Sequence, residues 1–376
     1  MSEVILLSHG FQPEYEAGYV NGIARNGLTV TLVGSDNTLV DRLEPGVHFI
    51  NLRGSQRPDR SRTEKIYNLL HYFFAYCFLL FQRRGTAVHV IGQFSTPSLG
   101  ISLIEAWVTY LLTGGYVLTV HNLLPHDRHT RLNIWLSYWI YRSARYLAVH
   151  TDRMQQELYQ NFSISPGRVI VVEHGIDKLL PDTGDARQRM RNQLAIQTTE
   201  RVVLFFGNIA RYKGVDILLR AFELPNAQSA DRLIVAGRCR DNSLALELQT
   251  MIRANARREA ILWQNGFVDQ NDVAPLFHAA DVLVMPYRYI DQSGVLFMAL
   301  ATGLRVIATD VGSLRDYVRN EFGAIVPIED PEALAASIKR VLEVPRDPVD
   351  CGAQRYLWQY TVKSVLPVYA VLGRNS

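Results

Sequence analysis

The sequence predicts an α/β protein of two domains, each a doubly wound parallel sheet, the two facing a central cleft. Three observations carry this expectation. Short apolar runs of buried-strand type alternate with helical stretches from the start of the chain, the pattern of βαβ units rather than hairpins. The pattern closes near Asp177 and restarts at Arg201 after a polar stretch. At 376 residues the chain also exceeds what one ordinary core holds. The expected boundaries are 1–177 for the first domain and 178–353 for the second, with part of a helical tail, 354–376, packing back on the first.

Composition narrows the class. The chain is 48% apolar and 20% charged, as ordinary globular proteins are. A net charge of +3 is too small to argue for nucleic acid. Cys77, Cys239 and Cys351 are odd in number and far apart, which fits reduced cytosolic thiols and no disulfide or zinc framework. The opening Met-Ser-Glu runs straight into Val-Ile-Leu-Leu and reads as a first strand without a signal peptide. No apolar run reaches the roughly 18 residues that span a bilayer. The expected location is cytoplasmic, with contact at the inner membrane face left open.

In order, residues 3–8 are a strand, 9–18 a loop, and a helix runs to about Arg25 before the stop Asn26-Gly27. The next strand is 28–33. There is no G-x-G-x-x-G and no G-x-x-x-x-G-K-[ST], so neither a dinucleotide fold nor a P-loop ATPase is indicated. Residues 53–65 carry Arg53, Arg57, Arg60, Arg62 and Lys65, and 66–81 are apolar almost all round, ending at Arg83-Arg84. Ile66, Leu69, Leu70, Phe73, Cys77, Leu80 and Phe81 fit one buried helix face, which Phe74, Tyr76 and Phe78 widen. Two placements follow: a helix sandwiched in a core, or an apolar surface with basic flanks resting on an anionic membrane or a lipid-linked substrate. Strands 87–91 and 116–120 enclose a helix near 98–112, and His121 ends the second strand. Leu132, Trp135, Leu136, Trp139 and Ile140 recur at helical spacing and are assigned to the core. Strands 146–149 and 168–172 complete the first half, and 180–185 reads as a linker. The second half has strands at 202–206, 233–236, 261–263, 281–285, 304–308 and 324–326 with helices between them.

The chemistry falls on loops at the strand carboxyl ends, the usual ligand position for open parallel sheets. In the first half these are 9–18, 93–95 and 121–128; in the second, 207–214, 237–238, 266–268 and 287–295. Gln292-Ser293-Gly294 ends a loop and opens a helix of small residues, whose unpaired N–H groups can hold a phosphate. Arg211 and Lys213 lie on another short loop before a helix. Cations and free amides together suit a diphosphate. His121 reads either as a satisfied strand-end histidine or as a hydrogen-bonding group for a substrate. His126, Asp127 and His129 match no metal spacing, and no D-x-D is present, so no metal is expected.

These motifs resemble the family 4 retaining glycosyltransferases. Phe206 to Asp216, F-G-N-I-A-R-Y-K-G-V-D, looks like the family's G-R-x-x-x-x-K-G-x-D loop. Gln292-Ser293-Gly294-Val295 through Ala301-Thr302-Gly303-Leu304-Arg305-Val306-Ile307-Ala308 looks like its carboxyl-domain signature, and Val172 to Asp177 its interdomain turn. Pro13 to Gly18 is similar to its amino-terminal glycine loop. The resemblance implies GT-B architecture, an acceptor-binding first domain, a nucleotide-sugar second domain, retention of anomeric configuration and no metal or other cofactor. It assigns the diphosphate to Lys213, the amides of Ser293, Gly294 and Val295, and that of Gly18, with Tyr19, Asn208 and Gln292 beside them. Phe267 and Val268 would read the base, with Arg238 and Asp291 toward base and ribose. His121 would touch the donor sugar, and Arg211 would replace the family's loop arginine, which falls at Asn208 here. The family's paired glutamates fall at Ile290 and Met298, so the resemblance is to a Gln-Ser-Gly-Val subgroup of the pattern. The expected partners are a nucleotide sugar, UDP-glucose first and GDP-mannose second, and a glycan or lipid-linked glycan acceptor in envelope or exopolysaccharide synthesis. A non-catalytic nucleotide-sugar binding module and a UDP-sugar epimerase are the alternatives from other classes.

Overall fold

A computed structural model describes residues 3–373 apart from 11, 58, 93–98, 124–129, 183, 291–292, 319–321 and 345–351. The chain forms two compact units, Met1–Asp177 with Arg355–Ser376, and Lys178–Gln354.

Unit 1 contains β1 (Glu3–Leu7), β2 (Thr29–Gly34), β3 (His48–Asn51), β4 (Ala87–Val90), β5 (Val117–Thr119), β6 (Tyr146–Val149) and β7 (Val169–Val171). They make one seven-stranded sheet in the order β3-β2-β1-β4-β5-β6-β7, with every pairing parallel. The winding reverses at β1, where Leu7 pairs Val33 on one side and Val90 on the other. The crossovers are α1 (Pro13–Arg25), α2 (Arg62–Gln82), α3 (Leu99–Thr113), α4 (Arg131–Ser143) and α5 (Asp152–Phe162). Unit 2 contains β8 (Val202–Phe206), β9 (Arg232–Ala236), β10 (Ile261–Gln264), β11 (Val282–Met285), β12 (Arg305–Thr309) and β13 (Gly323–Val326). Its parallel sheet runs β10-β9-β8-β11-β12-β13. Its helices are α6 (Asp185–Gln193), α7 (Val215–Glu223), α8 (Asn242–Ala254), α9 (Gln270–Ala279), α10 (Gly294–Thr302), α11 (Leu314–Tyr317) and α12 (Pro331–Glu343). The tail adds α13 (Trp358–Thr361) and α14 (Leu366–Leu372) to unit 1.

Each face of the first sheet has its own core. Tyr19, Ile23, Trp358, Val365 and Tyr369 join α1 and the tail to one face. Tyr72, Tyr76, Leu80, Ile140, Leu158 and Phe162 join α2, α4 and α5 to the other. Trp358 is seated by glycines. A β-carbon on Gly18 would lie 2.1 Å from its indole Nε1, and one on Gly175 would lie 2.2 Å from its ring. Past β7, Ile176 and Leu357 of the tail form an isolated parallel bridge, with Ile176 N–H donating to Tyr356 O at 2.7 Å.

Four expectations are corrected. Edge strand β3, with sequence His-Phe-Ile-Asn, was not anticipated because its polar ends dilute the strand signal. α1 begins at Pro13 rather than after Gly18, because proline pre-sets φ at the first helical position and Glu14 and Glu16 favour the positive helix end. On α2 the inward residues are Tyr72, Tyr76 and Leu80, while Ile66, Leu70 and Phe81, assigned to the buried face, point to solvent. On α4 only Ile140 of the apolar stripe is fully buried; Leu132, Trp135 and Trp139 are exposed.

Candidate functional site

Parallel pairing places the loops that follow β8, β9, β10 and β11 at one edge of the second sheet. Backbone bonds knit them together: Gly207 N–H to Ala236 O at 3.0 Å, Ile209 N–H to Arg238 O at 2.9 Å, and Arg288 N–H to Tyr212 O at 2.7 Å. Two glycines permit this approach. A β-carbon on Gly237 (φ +143) would sit 1.9 Å from Gly207 O, and one on Gly214 (φ +66) would sit 1.9 Å from Pro286 O.

Lys213 is the centre of the arrangement. It is 6% exposed. Its ammonium hydrogen-bonds the Tyr287 hydroxyl at 3.2 Å and lies 4.7 Å over the Tyr287 ring. No carboxylate partner is present among the described residues. Burial lowers its proton affinity. A β-carbon built on Gly207 would touch Val295 Cγ2 at 3.3 Å and Lys213 Nζ at 3.4 Å, so the ammonium and the first turn of α10 flank the same point. Ser293 occupies the cap position of α10 without a side-chain capping bond, and the space in front of Gly294 is open. A buried cation beside an uncapped helix N-terminus is a site for an anion.

Arg288, missed in the sequence, locks this edge. It donates to both carboxylate oxygens of Asp216, at 2.9 and 2.7 Å, to Arg211 O, and to Glu329. These anions raise its pKa, and despite its burial Asp216 is held below the usual range by the Arg288 and Arg220 guanidiniums. Arg211 stands apart: its guanidinium is exposed and paired with Glu247 on α8 at 2.8 Å. Asn208 and Arg238 are exposed at the same sheet edge. Phe267 is 88% exposed. With Val268 it borders a cavity of about 300 Å³ lined also by Gln193, Gln264, Asn265 and Asp272, which Lys213 does not line. Met298 is half-buried within α10. Asp291 and Gln292 lie outside the described residues.

In unit 1, Gly18 lies in the second turn of α1, where its N–H bonds along the helix and its missing side chain accommodates Trp358. Tyr19 is fully buried beside His89 and Trp358. The site assignments of these two residues are therefore corrected: both belong to packing. His121 sits just past β5. Its Nε2 lies 2.7 Å from Ile91 O and its Nδ1 lies 3.3 Å from His150 Nε2. His150 Nδ1 lies 2.9 Å from Val172 O. Each carbonyl requires an N–H, which fixes both tautomers and leaves two acceptor nitrogens facing each other. Burial lowers the pKa of both rings, so they are neutral at neutral pH. His174 completes a row, with the three rings around Tyr15 at centroid distances of 4.7, 5.4 and 5.5 Å. The sequence carried the signal, because His121, His150 and His174 each follow one of three successive strands.

Residues 18–178 match the family described as Glycosyltransferase Family 4, and residues 200–344 match the one described as Glycosyl transferases group 1. Each unit thus matches a glycosyltransferase family model, and the architecture is GT-B. A D-inositol 3-phosphate glycosyltransferase of Catenulispora acidiphila is 31% identical over 242 residues, 61% of this chain and 56% of the relative. The chain thus spans little more than half the length of that curated relative. An uncharacterized glycosyltransferase of Methanocaldococcus jannaschii is 25% identical over 374 residues, 94% of this chain and 89% of the relative. Among solved structures, HepE of Anabaena in complex with UDP-glucose superposes with a TM-score of 0.68 at 14% identity, covering 100% of this chain and 99% of that one.

Proposed function

We propose that the chain transfers a hexose from a nucleotide sugar to a glycan or lipid-linked glycan acceptor, with retention of configuration and without a metal. The observation that carries this reading is Lys213: a buried ammonium with only a neutral hydroxyl partner, set against the first turn of α10. The anion this arrangement suits is the donor diphosphate. Lys213 and the α10 amides stabilise it as it leaves, which is electrostatic catalysis aimed at developing charge. The leaving phosphate takes the proton of the attacking hydroxyl on the same face of the sugar. His121, on unit 1, is the hydrogen-bonding group that the family pattern assigns to the donor sugar.

UDP-glucose is the first donor to test, supported by the HepE complex, and GDP-mannose the second. The relatives named for D-inositol 3-phosphate add a phosphorylated polyol to the acceptor panel. Release of free UDP or GDP, with each donor and with glycan, lipid-linked and polyol acceptors, tests the reading. Lys213→Ala removes a charge-assisted contact of about 1.5–3 kcal/mol, so UDP affinity falls roughly tenfold to a hundredfold. His121→Ala lowers turnover more than nucleotide affinity. Unchanged UDP affinity in Lys213→Ala would overturn the diphosphate assignment. Failure to turn over any donor while UDP still binds would favour the non-catalytic binding module.

A further inference from the structure

α2, α3 and α4 lie side by side on one face of the first sheet, α3 touching both neighbours. Their outward surfaces are apolar. On α2 the solvent face is Ile66, Leu70, Phe74 and Phe78, between 56% and 77% exposed. On α3 it is Ile104, Trp107, Tyr110 and Leu111; on α4 it is Leu132, Trp135 and Trp139. Of the twenty-two large apolar side chains exposed among the described residues, these three helices hold fourteen. Contiguous exposed apolar surface of this kind marks an interaction site, since monomers rarely expose apolar patches beyond roughly 300–600 Å². The same layer contains its own control. α5 packs on the same face and shows solvent Asp152, Arg153, Gln156 and Gln160, an ordinary polar surface.

Charge selects the occupant. Glu64 and Glu105 are the acidic residues of the three helices; Glu64 lies in the first turn of α2 and Glu105 is buried. Cations border the apolar field. Arg60, Arg62 and Lys65 stand at the start of α2, Arg83 and Arg84 at its end, and Arg142 near the end of α4. Arg84 lies 4.4 Å over Phe81, and Arg142 lies 5.3 Å over Tyr138, so the cations rest on the aromatic rim. A second copy of the chain would set basic rim against basic rim. An anionic bilayer meets every part of the pattern: apolar helices, interfacial Trp and Tyr, and a cationic border. No helix among the described residues is long and apolar enough to cross a membrane, so contact is by the face.

We propose that the α2–α3–α4 face seats unit 1 on an anionic lipid surface, its aromatic side chains entering the headgroup layer. The inference stands without the catalytic reading, and it gives a lipid-linked acceptor a route to the protein.

The test is flotation of the full chain with phosphatidylcholine vesicles, with and without about a quarter phosphatidylglycerol. Binding is expected to the anionic vesicles, to weaken in high salt, and to fall at least roughly tenfold in Phe74→Glu/Phe78→Glu. Trp135→Glu, on a different helix, is expected to weaken it as well, and Arg84→Glu to remove the preference for anionic lipid. UDP affinity, read on the same preparations, stays unchanged in all variants, which separates this proposal from the transferase reading. Absence of binding to either vesicle overturns the proposal, as does undiminished binding in the variants. Concentration-dependent dimers that the Phe74→Glu/Phe78→Glu variant abolishes, with no vesicle binding, would assign the face to a second copy.

Discussion

At the scale of single residues, Lys213 and Arg211 show what a sequence can and cannot reveal. Both read as cations of a phosphate loop, two residues apart. In the fold one is buried against a tyrosine and the other is an exposed half of an ion pair with Glu247, thirty-six residues away. Nothing local distinguishes them, because the difference is set by which neighbouring loop closes over each. The same holds for Arg288, whose partners Asp216 and Glu329 come from separate elements. The burial of Lys213 makes a prediction with opposite signs for stability and binding. An ammonium removed from water beside a neutral hydroxyl destabilises the ligand-free chain. Lys213→Met is therefore expected to raise the stability of unit 2 by about 1 kcal/mol while UDP affinity falls roughly tenfold to a hundredfold. Denaturant unfolding with and without UDP measures both. A variant that is less stable yet binds UDP normally would make Lys213 a packing residue.

At the scale of elements, strands and helices were largely legible and their faces were not. Twelve of the thirteen described strands overlap the apolar runs that the alternation of the sequence marks, whereas β3, with its polar ends, does not. Periodicity finds a stripe, but α2 is apolar around its circumference and the sheet decides which side it buries. It buries tyrosines. Tyr72 donates its hydroxyl to Glu105, and Tyr76 pairs with Thr109 at 2.9 Å, while Phe74 and Phe78 face solvent. The lone acid inside apolar α3 was the clue that a polar network lay beneath. The amino-terminal glycine motif was misread for a related reason. Gly18 has the spacing of a phosphate loop but serves the Trp358 socket. Gly18→Ala is expected to destabilise unit 1 by several kcal/mol, about the 3–5 kcal/mol of Trp358→Ala, because its β-carbon would overlap the indole. UDP affinity should stay within about twofold. Chemical denaturation paired with a UDP titration decides it: lost affinity at unchanged stability would restore Gly18 to the phosphate site.

At the scale of the whole molecule, titratable groups divide unequally between the units. His278 is the sole histidine of residues 178–354; the other nine belong to unit 1. Burial lowers His89 to about 3 and His174 to about 4, and lowers His121 and His150 as well. Each is neutral in the folded chain at pH values where the unfolded chain takes a proton. Below about pH 6.5 the unfolded state therefore binds more protons, and stability falls as pH is lowered toward those folded values. For His89, fully buried among Tyr19, Thr119 and Tyr369, the loss between pH 7 and pH 5 is about 2 kcal/mol, and the other rings add to it. Unit 2 follows a shallower course, since burial lowers its single histidine, His278, where unit 1 has four lowered rings. Its depressed carboxylates, Glu200 and Asp216, bind protons in the unfolded state only near and below about pH 4.5, so they begin to cost stability there. Hydrogen exchange read peptide by peptide from pH 7.5 to pH 5, corrected for intrinsic exchange, is expected to show unit 1 losing more protection than unit 2. His89→Gln should flatten the unit 1 profile by about 2 kcal/mol over that range. Parallel loss in both units, or an unchanged slope in His89→Gln, would mean that these histidines are not the neutral buried groups their contacts describe.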